Sequence, residues 1–150
     1  MTDDTELTSH SDPTLALCLY WLSARLMHYH VHDLRDTYGD MEGIEDAGLF
    51  REFQTYFSYW LSALYVVAEG FRELGLKDGI IEALISVHID ELRVFRNATF
   101  HFQKSPDKHI RFLEGPHNRT NWAEELHAEF EAFFLSYVEE FGGYPNSPEQ

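Results

Sequence analysis

A chain of 150 residues, 44% hydrophobic and 15% aromatic, fits one domain and can bury about two-thirds of its unfolded surface. Its 26 acidic against 11 basic side chains, a formal charge of −15, argue against indiscriminate nucleic-acid binding, which draws on Lys and Arg. The lone cysteine, Cys18, excludes an internal disulfide and fits a reducing compartment, and no apolar run approaches the roughly 20 residues of a membrane helix, so a cytoplasmic protein with no membrane partner is expected.

Residues 1–11 are acidic, lack the basic and apolar regions of a signal peptide, and are expected to be disordered. Asp12-Pro13 then supplies an N-cap and a proline for the first helical position, and Gly39 closes the helix after Tyr38. Leu15, Leu19, Leu22, Leu26 and Tyr29 recur at four- and three-residue steps and predict its buried seam. Cys18 lies in an apolar run and reads as a small buried hydrophobe. His28 and His32, four apart, share a face at a spacing that can chelate a transition metal. Histidines near a helix C-terminus also complement its macrodipole, which is the simpler reading.

After a loop over 39–45, a second helix is expected from Asp46 to Leu74. Phe50, Phe53, Phe57, Trp60, Leu64, Val67, Phe71 and Leu74 keep the three- and four-residue rhythm of bundle packing, and Gly75 ends it. Asp78 caps the segment DGIIEALIS, which leads into a helix read from Ser86 to Lys104. Ile85, Ile89, Leu92, Phe95, Thr99 and Phe102 form the apolar pattern there, and Arg96, Asn97 and His101 interrupt it. At about 100° per residue, Arg93, Asn97, His101 and Lys104 share one cationic, titratable edge.

Residues 104–119 read as a long connection broken by Pro106 and Gly115-Pro116. Between Arg93 and Arg119 stand six basic residues and two acidic ones, a net +4, which leaves −19 for the rest of the chain. Such a local cationic face suits a selectively bound anion. Thr120-Asn121 opens the last helix, with Asn121 and Glu124 at capping-box spacing and Trp122, Leu126, Phe130, Phe133, Tyr137 and Phe141 inward. Gly142-Gly143 ends it, and 144–150 form a frayed tail. Glu124-x-x-His127 occurs once, whereas di-iron bundles need that motif twice with further glutamates, so no metal or other cofactor is assigned. No alternating strand pattern occurs anywhere. The fold class is all-α: a single-domain antiparallel bundle of four to five helices over residues 12–143.

The phrase LRVFRNATFHFQ resembles the HEPN superfamily, whose signature places four to six residues between an arginine and a histidine and a polar residue directly after the arginine. The resemblance covers residues 64–104. It implies a helical bundle that dimerises; many members are metal-independent endoribonucleases, and others are noncatalytic nucleotide-binding or scaffolding modules. By the same resemblance His101 is the catalytic histidine, Arg96 binds phosphate and Asn97 orients them, in a site shared across a dimer axis. Arg93, Lys104, Lys108 and Arg111 are expected to hold the RNA or nucleotide anion.

The chemistry is consistent with those residue types. Cleaving RNA at a 2′-hydroxyl needs a base, an acid and positive charge against the phosphorane. A histidine near its ordinary pKa of about 6.5 serves as either base or acid, and arginine grips phosphate with two parallel bonds. One His101 cannot fill both roles in a single turnover; two copies can. Two other readings stand beside this one, a noncatalytic nucleotide-binding or protein-interaction module and a metal-binding bundle centred on His28 and His32.

Overall fold

Three aspartates begin the three long helices that open the chain. Asp12 accepts from the Thr14 N–H at 2.9 Å, Asp46 from Gly48 and Leu49 at 3.0 Å, and Asp78 from Ile80 and Ile81 at 3.0 Å. Each carboxylate satisfies backbone donors that a first helical turn leaves unpaired. The computed structural model describes residues 12–39, 44–113 and 119–140. Over these the chain is all-α, with α1 (Pro13–Tyr38), α2 (Ala47–Glu73), α3 (Gly79–Phe100), α4 (Asp107–Leu113) and α5 (Arg119–Glu140), and no strand occurs among the described residues. None of these helices is long and apolar enough to cross a membrane. The expected disorder of 1–11, the Gly115-Pro116 break, Phe141, Gly142-Gly143 and the tail lie outside the described residues.

α2 is the central helix. Against α1 it runs antiparallel, since Arg35 lies over Phe53 and His30 stacks on Tyr56 at one end while Gly70 meets Leu17 at the other. Gly70 lets the two helices approach there, because a Cβ would force the buried Leu17 side chain to shift. α3 runs antiparallel to α2, through Tyr65–Arg96 and Tyr59–Phe100. α5 is antiparallel to α1, through Trp21–Phe134, Arg25–Glu131 and Tyr137–Asp12. Trp21, Trp60, Phe71, Phe95, Phe130 and Phe134 are fully enclosed and fill the centre. Aromatic side chains bury roughly 150–250 Å² each, so six of them dominate the apolar free energy of the bundle.

Asp78 starts a helix that runs without a break into the motif, with a kink at His88 (φ −133°, ψ 18°). The Trp122 indole donates to the Leu84 carbonyl at 2.8 Å, the group that a regular helix pairs with the His88 N–H. Helix α5 is thereby keyed to the kink.

Four expectations need correction. Most of the α1 seam faces outward: Leu15, Leu19, Leu26 and Tyr29 are exposed, Leu22 alone of the five packs partly buried against the core, and Leu17, Cys18, Trp21, Ala24, Val31 and Leu34 are buried instead. Both stripes have helical period, and the inward one carries Trp21, the largest side chain on the helix. The motif helix stops at Phe100, with His101 already extended (φ −118°, ψ 132°), so Phe102 is 92% exposed rather than core. The connection after it contains α4, whose Phe112 takes the place beside Phe95 at 5.1 Å that the pattern had given to Phe102. Asn121 lies inside α5, and Glu124 does not close a capping box, because its carboxylate is held by α1.

Candidate functional site

The final turn of α3 presents the motif. Arg96 faces α2, with its guanidinium 4.7 Å from the centre of the Tyr65 ring. That contact is a cation–π one, strengthened where the cation is partly desolvated. The Arg96 Nε–H is buried and has no partner among the described residues. Asn97 and His101 are exposed, and the His101 N–H donates to the Asn97 carbonyl at 2.9 Å as the helix ends. Gln103 Nε2 donates to the His101 carbonyl at 3.0 Å and fixes the chain just beyond. The imidazole makes no hydrogen bond among the described residues. Phe100 (53% exposed) and Phe102 (92%) flank it, and Phe100 meets Tyr59 edge to face at 5.5 Å.

The cationic edge does not form as one helix face. Arg93 pairs with Asp90 at 3.5 Å and lines a groove of about 200 Å³ with Tyr65, Glu69 and Arg72, where the two signs of charge balance. Lys104 lies beyond the helix, and Lys108 and Arg111 sit exposed on α4. Ending the helix at Phe100 is what separates them. Within one chain no contact joins Arg96 to His101, because Arg96 turns to Tyr65 while His101 turns to solvent.

His109 of α4 completes the packing behind the motif, and sequence reasoning did not single it out. The Thr99 hydroxyl donates to the Phe95 carbonyl at 3.1 Å and so accepts from His109 Nε2–H, also at 3.1 Å. Its ring meets Phe95 edge to face at 4.7 Å, and burial lowers its pKa below 6.5. His109, Thr99 and Tyr59 line a larger groove of about 910 Å³ between α2, α3 and α4, reached from the side of α3 opposite Asn97.

A second cluster joins α1 to α5. His28 Nε2 lies 2.6 Å from one Glu124 carboxylate oxygen, and His32 Nε2 lies 2.9 Å from the other. Burial on its own would raise the Glu124 pKa, but the hydrogen bonds and charge of His28, then of His32, outweigh it and hold the carboxyl below its ordinary value. His127, one turn beyond Glu124, stacks on His28 with ring centres 3.9 Å apart. Its Nδ1 accepts from the Trp60 indole at 3.2 Å, and its Nε2 is buried without a partner among the described residues. Burial, reinforced by repulsion from His28, pushes its pKa down to about 3, so it stays neutral. Helical spacing revealed the His28/His32 pair, but Glu124 lies 92 residues from His32, and no local signal marks it as their partner.

Compared with known proteins, the chain matches no family model, no curated protein and no solved structure.

Proposed function

We propose that this protein is a HEPN-like, metal-independent endoribonuclease working as a two-fold dimer through Arg96, Asn97 and His101. The observation that carries the reading is the His101 imidazole, exposed and without a hydrogen bond among the described residues, just past the end of α3 and one turn from the exposed Asn97 amide. A base or acid must be within hydrogen-bond reach of the substrate, which an exposed imidazole allows. In the proposed dimer, His101 of one protomer acts as base and that of its partner as acid, while Arg96 neutralises the phosphorane. The exposed Phe100 and Phe102 beside the motif offer apolar area for the second copy, a contact of isologous type. Arg93, Lys104, Lys108 and Arg111 guide the RNA anion.

Incubation with single-stranded RNA in EDTA tests the reading. Cleavage to 2′,3′-cyclic phosphate ends is expected, from a protein that scatters light as a dimer. His101→Ala should lower the rate by about 10²–10⁴-fold with unchanged helical circular dichroism. Arg96→Lys should recover only part of what Arg96→Ala loses, because an ammonium cannot grip phosphate with two parallel bonds. A monomer, or a rate indifferent to His101, overturns the proposal.

A second reading is favoured by the way Tyr65 holds Arg96: a noncatalytic nucleotide-binding module, in which Arg96 binds phosphate and nothing is cleaved. Nucleotide binding lost in Arg96→Ala, in a protein without cleavage, identifies it.

A further inference from the structure

We propose that His28, His32 and Glu124 form a binding site for a divalent first-row transition ion, zinc being the reference occupant, which ties α1 to α5 and leaves a coordination position open to water. The site is independent of the α3 motif and of any RNA chemistry there.

Three observations converge. The first is donor type: two imidazole nitrogens and a carboxylate are what zinc, iron and nickel take from proteins. The second is geometry. The three donor atoms lie within 4.8 Å of one another, and both Nε2 atoms address the same carboxylate, one to each oxygen. Donors about 2.0–2.1 Å from a tetrahedral ion stand about 3.3 Å apart. The 2.6 and 2.9 Å separations seen without an ion are those of shared protons, and binding requires the Glu124 carboxylate to draw back from both rings to that spacing. On binding, the ion takes the place of the two Nε2 protons: each neutral ring moves its single proton to Nδ1 through solvent, so no net proton is released.

The third observation is His127. It is 2% exposed, and because its Nδ1 accepts from Trp60, the neutral ring carries its proton on Nε2. That N–H is buried and has no partner among the described residues, and the ring lies against His28. Buried donors are seldom left unmatched, and an oxygen ligand on the ion, water or hydroxide, is an acceptor it could serve. Glu124, His28 and His32 keep 28%, 21% and 42% of their side-chain surface exposed, which leaves an entry path. Three protein ligands with solvent access is the pattern of an open site rather than of a sealed structural one.

The test uses the full chain without an affinity tag, stripped with EDTA, desalted and titrated with ZnCl2 in a calorimeter. One ion per chain is expected. Glu124→Gln and His32→Ala should each weaken it by more than the roughly 10–100-fold that loss of an outer hydrogen-bond partner brings. His30→Ala should leave it unchanged, since His30 stacks on Tyr56 away from the cluster. Cobalt(II) in place of zinc should give visible absorption that vanishes in Glu124→Gln. Because His32 keeps the most exposed side chain of the three, His32→Ala keeps the comparison valid even where another variant fails to fold. No saturable uptake, or uptake that both ligand variants leave intact, means the cluster is an ion pair only and overturns the proposal.

Discussion

His109 shows how one half-buried ring can record the pH at which an element is held. It docks α4 onto α3 through Thr99 and Phe95, and burial lowers its pKa below the 6.5 of an unfolded chain. The sign follows directly: below pH 6.5 the unfolded state takes up a proton that the folded state resists. The stabilising contribution is therefore present above 6.5 and is lost as pH falls from there toward the depressed folded value. Between about pH 7.5 and 5.5, urea denaturation should show wild type losing more stability than His109→Gln. The difference should stay well below the ceiling of about 1.4 kcal/mol per pH unit, because solvent screens a partly exposed ring. Equal losses would show that His109 takes no part in acid sensitivity. At this scale the sequence was legible where partners are near along the chain. His28 and His32 announce themselves by spacing, whereas the spacing of Arg96, Asn97 and His101 did not show that Arg96 turns to Tyr65 and His101 to solvent. Glu124 did not announce itself, since its role is set by a helix far away in the chain, and local spacing offered a capping box instead.

The starts of α1 and α3 could be read because capping is local, and Asp12 and Asp78 cap where expected, whereas the start read at Thr120-Asn121 failed. The end of α3 could not be read, because it depends on what the following segment does. Continuing the period to Phe102 assigns that residue to the core, whereas the chain turns at His101 and brings back Phe112. A pair of substitutions measures this exchange. Phe102→Ser should change stability by no more than about 0.5 kcal/mol, as for an exposed position. Phe112→Ala, 2% exposed against Phe95, should cost about 3–5 kcal/mol. Chemical denaturation of both variants decides it, and comparable losses would contradict the turn at His101. The α1 seam failed for a related reason. A helix with apolar residues on two faces leaves the choice to volume and partners, and Trp21 with Phe134 prevails over a row of leucines.

Composition sets the class of the whole molecule, and an all-α bundle is what forms. It also sets a molecule-wide strain. With a formal charge of −15, the acidic groups repel one another more when folded than when spread along an open chain. Raising ionic strength from about 0.01 M to about 0.15 M shortens the screening length from about 30 Å to about 8 Å. The midpoint of urea denaturation should therefore rise with NaCl over that range. A fall would mean that exposed pairs such as Arg25–Glu131 and Lys77–Glu82 contribute more than the general repulsion removes.

Cys18 turns this architecture into a clock. It is the chain's single thiol, 3% exposed on α1, and burial raises its pKa, so a disulfide reagent meets almost no thiolate while the helix is seated. With closing faster than reaction, labelling is set by the fraction of time α1 is open, and its rate reports the opening equilibrium with no engineered probe. His28 and His32 lie on the same helix, so an ion that bridges them to Glu124 must hold the clock back. Stopped-flow labelling with an aromatic disulfide should slow in zinc by the factor 1 + [Zn]/Kd, and Glu124→Gln should run at the zinc-free rate throughout.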